Sequence, residues 1–203
     1  MTTLVLASAS PARLATLRSA GVEPVVIVSG VDESQVSELP PAELALQLAE
    51  LKCGAVAPTL ASRGDVPEGA LVLGCDSVLE LDGQAWGKPE SAAEAALRWR
   101  AMRGRSGVLH SGHCLHDSAD QRTAAATAST TVHFADVSDD EIDAYVATGE
   151  PLHVAGAFTI DGLGGAFVTG IEGDHHNVVG VSLPLVRELL GELGHSWTEL
   201  WPS

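Results

Sequence analysis

Residues 3–17, TLVLASASPARLATL, constrain what this chain can fold into more than any other stretch. Leu4, Val5 and Leu6 make the short apolar run that a buried strand needs, and the serines behind them break it, so a strand ends near Ala7. Ser10 then offers an N-cap oxygen, Pro11 suits a first helical position, and Leu14 and Leu17 share a face; a helix starts there. The Ser8-Ala9-Ser10 turn therefore lies between a strand's carboxyl end and a helix's amino end, where free N–H groups and the helix dipole favour an anion. Arg13, in the first helical turn, adds a charge and a planar donor fork suited to phosphate. An ordinary capped helix with a solvated arginine satisfies the same residues.

The remaining pattern alternates strands and helices. Residues 24–28 (PVVIV) and 71–75 (LVLGC) read as buried strands, with Asp76 where the second one stops. Between them, Leu44, Leu48, Leu51 and Ala55 recur at helical spacing over 41–57, with Lys52 near the middle, and 58–67 reads as a loop. Ser91–Glu94 and Ser138–Glu141 have the form of capping boxes opening two further helices. Residues 108–115 and 123–134 predict an antiparallel pair. Glycines from 156 to 173 predict short strands and tight turns, and Pro184 opens a last helix with Leu185, Leu189 and Leu193 on its apolar face. Such an order predicts an α/β fold with a mixed central sheet flanked by helices, one domain over residues 1–203 with a possible second lobe.

Composition narrows the function. A formal charge of −16, with only 11 lysines and arginines in 203 residues, argues against nucleic acid as a partner. A small phosphate ligand remains compatible if the cations gather in one cleft and a divalent metal offsets the rest. No apolar run reaches membrane-spanning length and no signal-peptide pattern opens the chain, so no membrane and a cytoplasmic location are expected. The three cysteines, Cys53, Cys75 and Cys114, are scattered and without C-x-x-C spacing, which predicts reduced thiols. His110, His113 and His116 are three apart; on a strand His113 faces away from the other two, which argues against a metal site. His175-His176 reads as a solvated loop.

Asp76, in G-C-D-S-V, is the strongest chemical candidate: a carboxylate at a buried strand's carboxyl end points into the crevice where α/β proteins bind ligands, and it can hold a metal or orient a water. Its plain alternative is a turn or cap aspartate. Lys88, between Gly87 and Pro89, sits on stiffened backbone that suits a cation aimed at phosphate. S-x-S-P-x-R after the first strand, Glu33, Lys52, Asp76-Ser77-Val78, Gly87-Lys88-Pro89, Gly149-Glu150-Pro151 and Asn177-Val178-Val179-Gly180, in that order, resemble the Maf family of nucleotide pyrophosphatases from Leu4 to about Leu190.

The resemblance implies a two-lobed Maf/ITPase-like fold with a cleft, and hydrolysis of a nucleoside triphosphate to monophosphate and pyrophosphate, with house-cleaning of non-standard nucleotides as the role. It implies Asp76, Glu33, Lys52 and Lys88 as catalytic residues, with Glu33 and Asp76 holding Mg²⁺ or Mn²⁺ and Asp76 as proton acceptor. Ser8, Ser10 and Arg13 would bind substrate, and Ala12, Ser77 and Asp161 would bear on base choice; a homodimer stays open. Departures are specific. Ala12 stands where the family commonly has a second arginine, Gly107 where it has a histidine, His153-Val154 where it has D-K, Asp161 where it has glutamine, and Ser182 is extra. Alanine donates nothing and an ionised aspartate only accepts, so the base preference should be shifted from the thymidine/uridine type or broadened. The rival functions are a nucleotide-sensing module with weak or lost turnover and a cell-division interaction protein.

Overall fold

The computed structural model describes residues 2–33, 36 and 39–202, and its fold is organised by β3 (Leu71–Leu81). The first residues of β3 pair in parallel with β1 (Leu4–Leu6), and β1 pairs in parallel with β2 (Val25–Val26). On its other edge β3 runs antiparallel to β5 (Ser106–Asp117), followed by β6 (Arg122–Phe134) and β7 (Val168–Glu172). β4 (Gln84–Trp86) folds back onto the end of β3, completing a seven-stranded sheet of order β2-β1-β3-β5-β6-β7. This is the mixed α/β architecture that the alternation of strand and helix patterns predicts.

Helices cover the sheet from both sides. α1 (Pro11–Ser19) and α6 (Leu183–Leu193) press Leu17, Val186, Leu189 and Leu193 against Leu4, Leu6, Leu73 and Leu115. α2 (Pro41–Val56) lies on the opposite face over Val5, Val72 and Cys114. A third apolar cluster, centred on Trp99, joins α3 (Ala92–Met102) and α4 (Asp139–Ala147) to the far end of the sheet through Leu79, Leu109 and Phe134.

Several expectations need correcting. β3 does not stop before Asp76 but continues to Leu81, because β5 pairs with it from Leu71 through Glu80 and keeps it extended. The buried stripe of α2 is Ala45, Leu48, Ala49, Lys52, Cys53 and Val56, whereas Leu51 is 39% exposed. The reason is the surface beneath it. A Cβ on Gly74 would fall 2.3 Å from the Ala49 carbonyl oxygen, and one on Gly112 would fall 2.1 Å from that of Ala45. Two glycines on the sheet thus let the helix backbone sit directly against the strands, and the small Ala45 and Ala49 face inward there beside Leu48, while Leu51 turns outward. The 57–62 stretch is a 3₁₀ turn instead of open loop, and the glycine-rich stretch holds two 3₁₀ turns, Ala155–Ala157 and Leu163–Phe167, with β7 as its one strand. His175 and His176 begin α5 (His175–Val179), where Asp174 caps the first turn. The last helix begins one residue before Pro184, with Ser182 as N-cap and Val186 and Leu190, not Leu185, on the buried face.

Candidate active site

β1 leaves β3 after Leu73, and β4 joins the same edge at Leu79, so among the described residues no strand lies beside 74–78 there. Asp76 and Ser77 lie in this gap. Alternation along the strand sends Asp76 to the α2 face and Ser77 to the face of α1 and α6. A ligand at the gap therefore meets side chains from both faces at once.

On the α2 side, three charges meet. The Lys52 ammonium lies 2.7 Å from Glu33 Oε1 and also contacts Asp76 Oδ1. Lys52 is 9% exposed and Asp76 8%, so each charge is held by its partner at a depth where either alone would be costly. The acid at 33 supplies a second negative charge from the segment after β2, and half of its side chain remains in solvent. This cluster forms the floor of a cleft of about 680 Å³ that is also lined by Ser8, Ser10, Arg13 and Lys88. Lys88 stands exposed on the rim. The turn beneath it is tied down, since the Gly87 carbonyl accepts from Gly156 N–H at 3.1 Å and from Arg98 Nη1 at 2.5 Å. A larger hollow of about 1120 Å³ flanks the other end of α2, near Leu60, Cys114 and His116, and none of these candidate residues lines it.

Arg13 is placed differently from a solvated phosphate ligand. It is 8% exposed, and its guanidinium donates to Gly180 O (2.7 Å), Cys75 O (2.9 Å), Ser8 Oγ (3.1 Å) and Ser77 Oγ (2.9 Å). Four donors out of five are thereby spent on α1's turn, the open edge of β3 and the turn between α5 and α6. Ser77 Oγ is 2.8 Å from Ser111 Oγ, which donates to Asn177 O at 3.1 Å, so its hydroxyl belongs to the same network. Ser10 caps α1 by accepting from Arg13 N–H, and Ser8 Oγ accepts from Ser10 N–H. Ala12 and Asp161 also line the cleft.

His113 supports this network without reaching the cleft. It accepts from Ser182 N–H at Nε2 and donates from Nδ1 to Ser111 O, the arrangement of a neutral ring. Burial, reinforced by the Arg13 charge, drives its pKa down to about 4. An unfolded chain takes up that proton near pH 6.5, before the folded one does, so the folded state loses stability as pH falls from 6.5 to 4 and no more from this group below that. The expected loss is about 3 kcal/mol over that interval. Urea unfolding between pH 7 and pH 4 measures it, and His113→Gln should flatten the slope by one proton.

The other two histidines of H-x-x-H-x-x-H have separate partners. His110 bonds Glu80 and Ser129, while His116 bonds Thr123. Among the described residues no cluster of three His, Cys, Asp or Glu side chains is placed to hold an ion. Glu33 and Asp76 are a pair of hard oxygen donors at the cleft floor, a set that suits a cation completing its shell with water and phosphate oxygens. Sequence reasoning missed Ser111, gave Asn177 only as part of a motif and weighed His113 only as a metal ligand. Their joint role behind the site is revealed by the pairing of β5 with α5 and with the turn before α6.

No helix among the described residues is long and apolar enough to cross a membrane. Two comparisons place the chain. A Streptomyces avermitilis protein named nucleoside triphosphate pyrophosphatase is 62% identical over 198 residues, spanning 98% of this chain and 94% of that protein. One of the same name from Salinispora tropica is 65% identical over 198 residues, spanning 98% and 87%. The solved Staphylococcus aureus Ham1 protein is 18% identical, with a TM-score of 0.45 over 66% of this chain and 73% of that one. The family model described as "Maf-like protein" matches residues 3–193, and with relatives of this identity along nearly the whole length, the chain belongs to the Maf family.

Proposed function

We propose that this chain hydrolyses nucleoside triphosphates between the α and β phosphorus atoms, releasing the monophosphate and pyrophosphate. The carrying observation is the Glu33–Lys52–Asp76 cluster at the floor of a cleft whose rim bears Lys88 and the Ser8–Ser10 turn. The relatives named nucleoside triphosphate pyrophosphatase support the same reading. Asp76 acts as proton acceptor for the attacking water. An ammonium has three donors; two of those on Lys52 meet the acids, and the third suits a phosphate oxygen. Lys88 and the N–H groups at the start of α1 offset charge on the phosphates, and Arg13 builds the wall that holds this turn in place. Glu33 and Asp76 would hold Mg²⁺ or Mn²⁺. When bound, such an ion neutralises phosphate charge and eases deprotonation of water. The positioning alone needs no covalent intermediate.

Pyrophosphate release from standard and modified triphosphates, with Mg²⁺, with Mn²⁺ and with chelator, tests this. Release that depends on the added cation is expected, with the fastest rates on modified nucleotides if clearing non-standard nucleotides is the role. Binding without release from any nucleotide would favour the sensing module instead.

A further inference from the structure

The wall of the cleft that carries Asp161 is held by a residue outside it. Glu150 begins the 3₁₀ turn after α4, and its carboxylate accepts four hydrogen bonds. Oε1 receives Tyr145 Oη at 2.9 Å, Thr159 Oγ1 at 2.5 Å and Gly164 N–H at 3.0 Å; Oε2 receives Leu163 N–H at 3.1 Å. Tyr145 Oη in turn accepts from Thr159 N–H at 3.3 Å. Both ends of the 159–164 loop are thus pinned to one carboxylate, and Asp161 is carried between them. Space around the clamp is tight. A Cβ on Gly162 would lie 2.7 Å from Glu150 Oε2, and one on Gly164 2.5 Å from Tyr145 Oη. Burial pushes the Glu150 carboxyl up, but the hydrogen bonds from Thr159, Leu163, Gly164 and Tyr145 outweigh it and hold the group below the usual glutamate range, ionised and able to accept on both oxygens.

We infer that Glu150 is a positioning residue for nucleotide selection, clamping the 159–164 loop so that Thr159 and Asp161 meet the bound nucleotide at a fixed place. The inference rests on the pyrophosphatase reading, and Thr159 and Asp161, unlike Glu150, line the cleft. Glu150→Gln keeps the size of the side chain but turns one acceptor into an NH₂ that opposes a backbone N–H, so the 163–164 end of the loop keeps only one of its two bonds to this side chain and is loosened. Hydrogen-bonded walls discriminate between substrates only when held to well under an ångström, so selection should suffer before chemistry does.

The test measures kcat and KM for pyrophosphate release from the four ribonucleoside and four deoxyribonucleoside triphosphates. Four proteins are compared: the unmodified chain, Glu150→Gln, Asp161→Ala and the double variant. In Glu150→Gln the ratio of kcat/KM between best and worst nucleotide should fall about tenfold through KM, with kcat on the best nucleotide kept within about threefold. In the Asp161→Ala background the same change should move the ratio less than about twofold, because the two act through one wall. An unchanged ratio, a loss equal for every nucleotide, or full additivity of the two substitutions overturns the inference. Should Glu150→Gln fail to fold, Tyr145→Phe removes one donor while keeping the ring in the core, and a smaller fall of the same kind is expected. If the unmodified chain releases pyrophosphate from no triphosphate, the pyrophosphatase reading fails by itself, and dissociation constants for the same nucleotides decide the clamp by the same ratio.

Discussion

Asp76→Asn is expected to lower kcat for pyrophosphate release by about 10²–10⁴-fold, the range associated with removing a positioned proton acceptor. The amide matches the carboxylate in size, so the packing against Gly112 and α2 survives. Its charge does not survive, and Lys52 is left with Glu33 as its remaining carboxylate partner. Removing one partner of a buried pair outright costs about 3–5 kcal/mol, and the second acid should keep the loss below that. Circular dichroism and a thermal melt establish that the variant is folded; stopped rates on the best nucleotide then measure the chemistry. A folded variant running within threefold of the unmodified chain would remove Asp76 from the mechanism. An unfolded one would make it a structural residue.

Arg13→Lys should destabilise the fold by about 3–5 kcal/mol, the scale for a buried charge that loses its fixed partners. A lysine keeps the charge but concentrates its donors on one atom, which cannot reach Gly180 O, Cys75 O and Ser77 Oγ together. At least one buried carbonyl is then left short of a donor and adds its desolvation cost. Urea midpoints read the change directly. Near-native stability combined with a large rise in KM would mean that the guanidinium serves phosphate rather than the frame.

Much of this site was legible because its chemistry is local. The Ser10 cap and Pro11 lie within one turn of each other and announce α1 without help from the rest of the chain. The acid and lysine candidates were legible from motif order, and the structure brings Glu33, Lys52 and Asp76 within contact. What the sequence hides is set by pairing across the chain. Whether a strand continues past Asp76 depends on β5, some thirty-five residues away, and the inward face of α2 depends on two glycines that belong to other elements. Arg13 shows the same limit more sharply. Its type and position suit an anion, yet its acceptors come from residues 8, 75, 77 and 180, and their convergence is a property of the whole fold.

The unpaired stretch of β3 also bears on how such a protein behaves in a crowded solution. Free strand edges invite other chains to add on, and proteins usually protect them with charges, bulges or covering elements. Here the opening is flanked by β1 on one side and β4 on the other, and is only residues 74–78 long. An incoming peptide would have to displace a neighbour to gain more than a few hydrogen bonds, and the carbonyl of Cys75 is already occupied by Arg13. The notch is too short for an extended chain to pair along it. Unpaired main chain at the candidate site is thereby kept without making the molecule a template for aggregation.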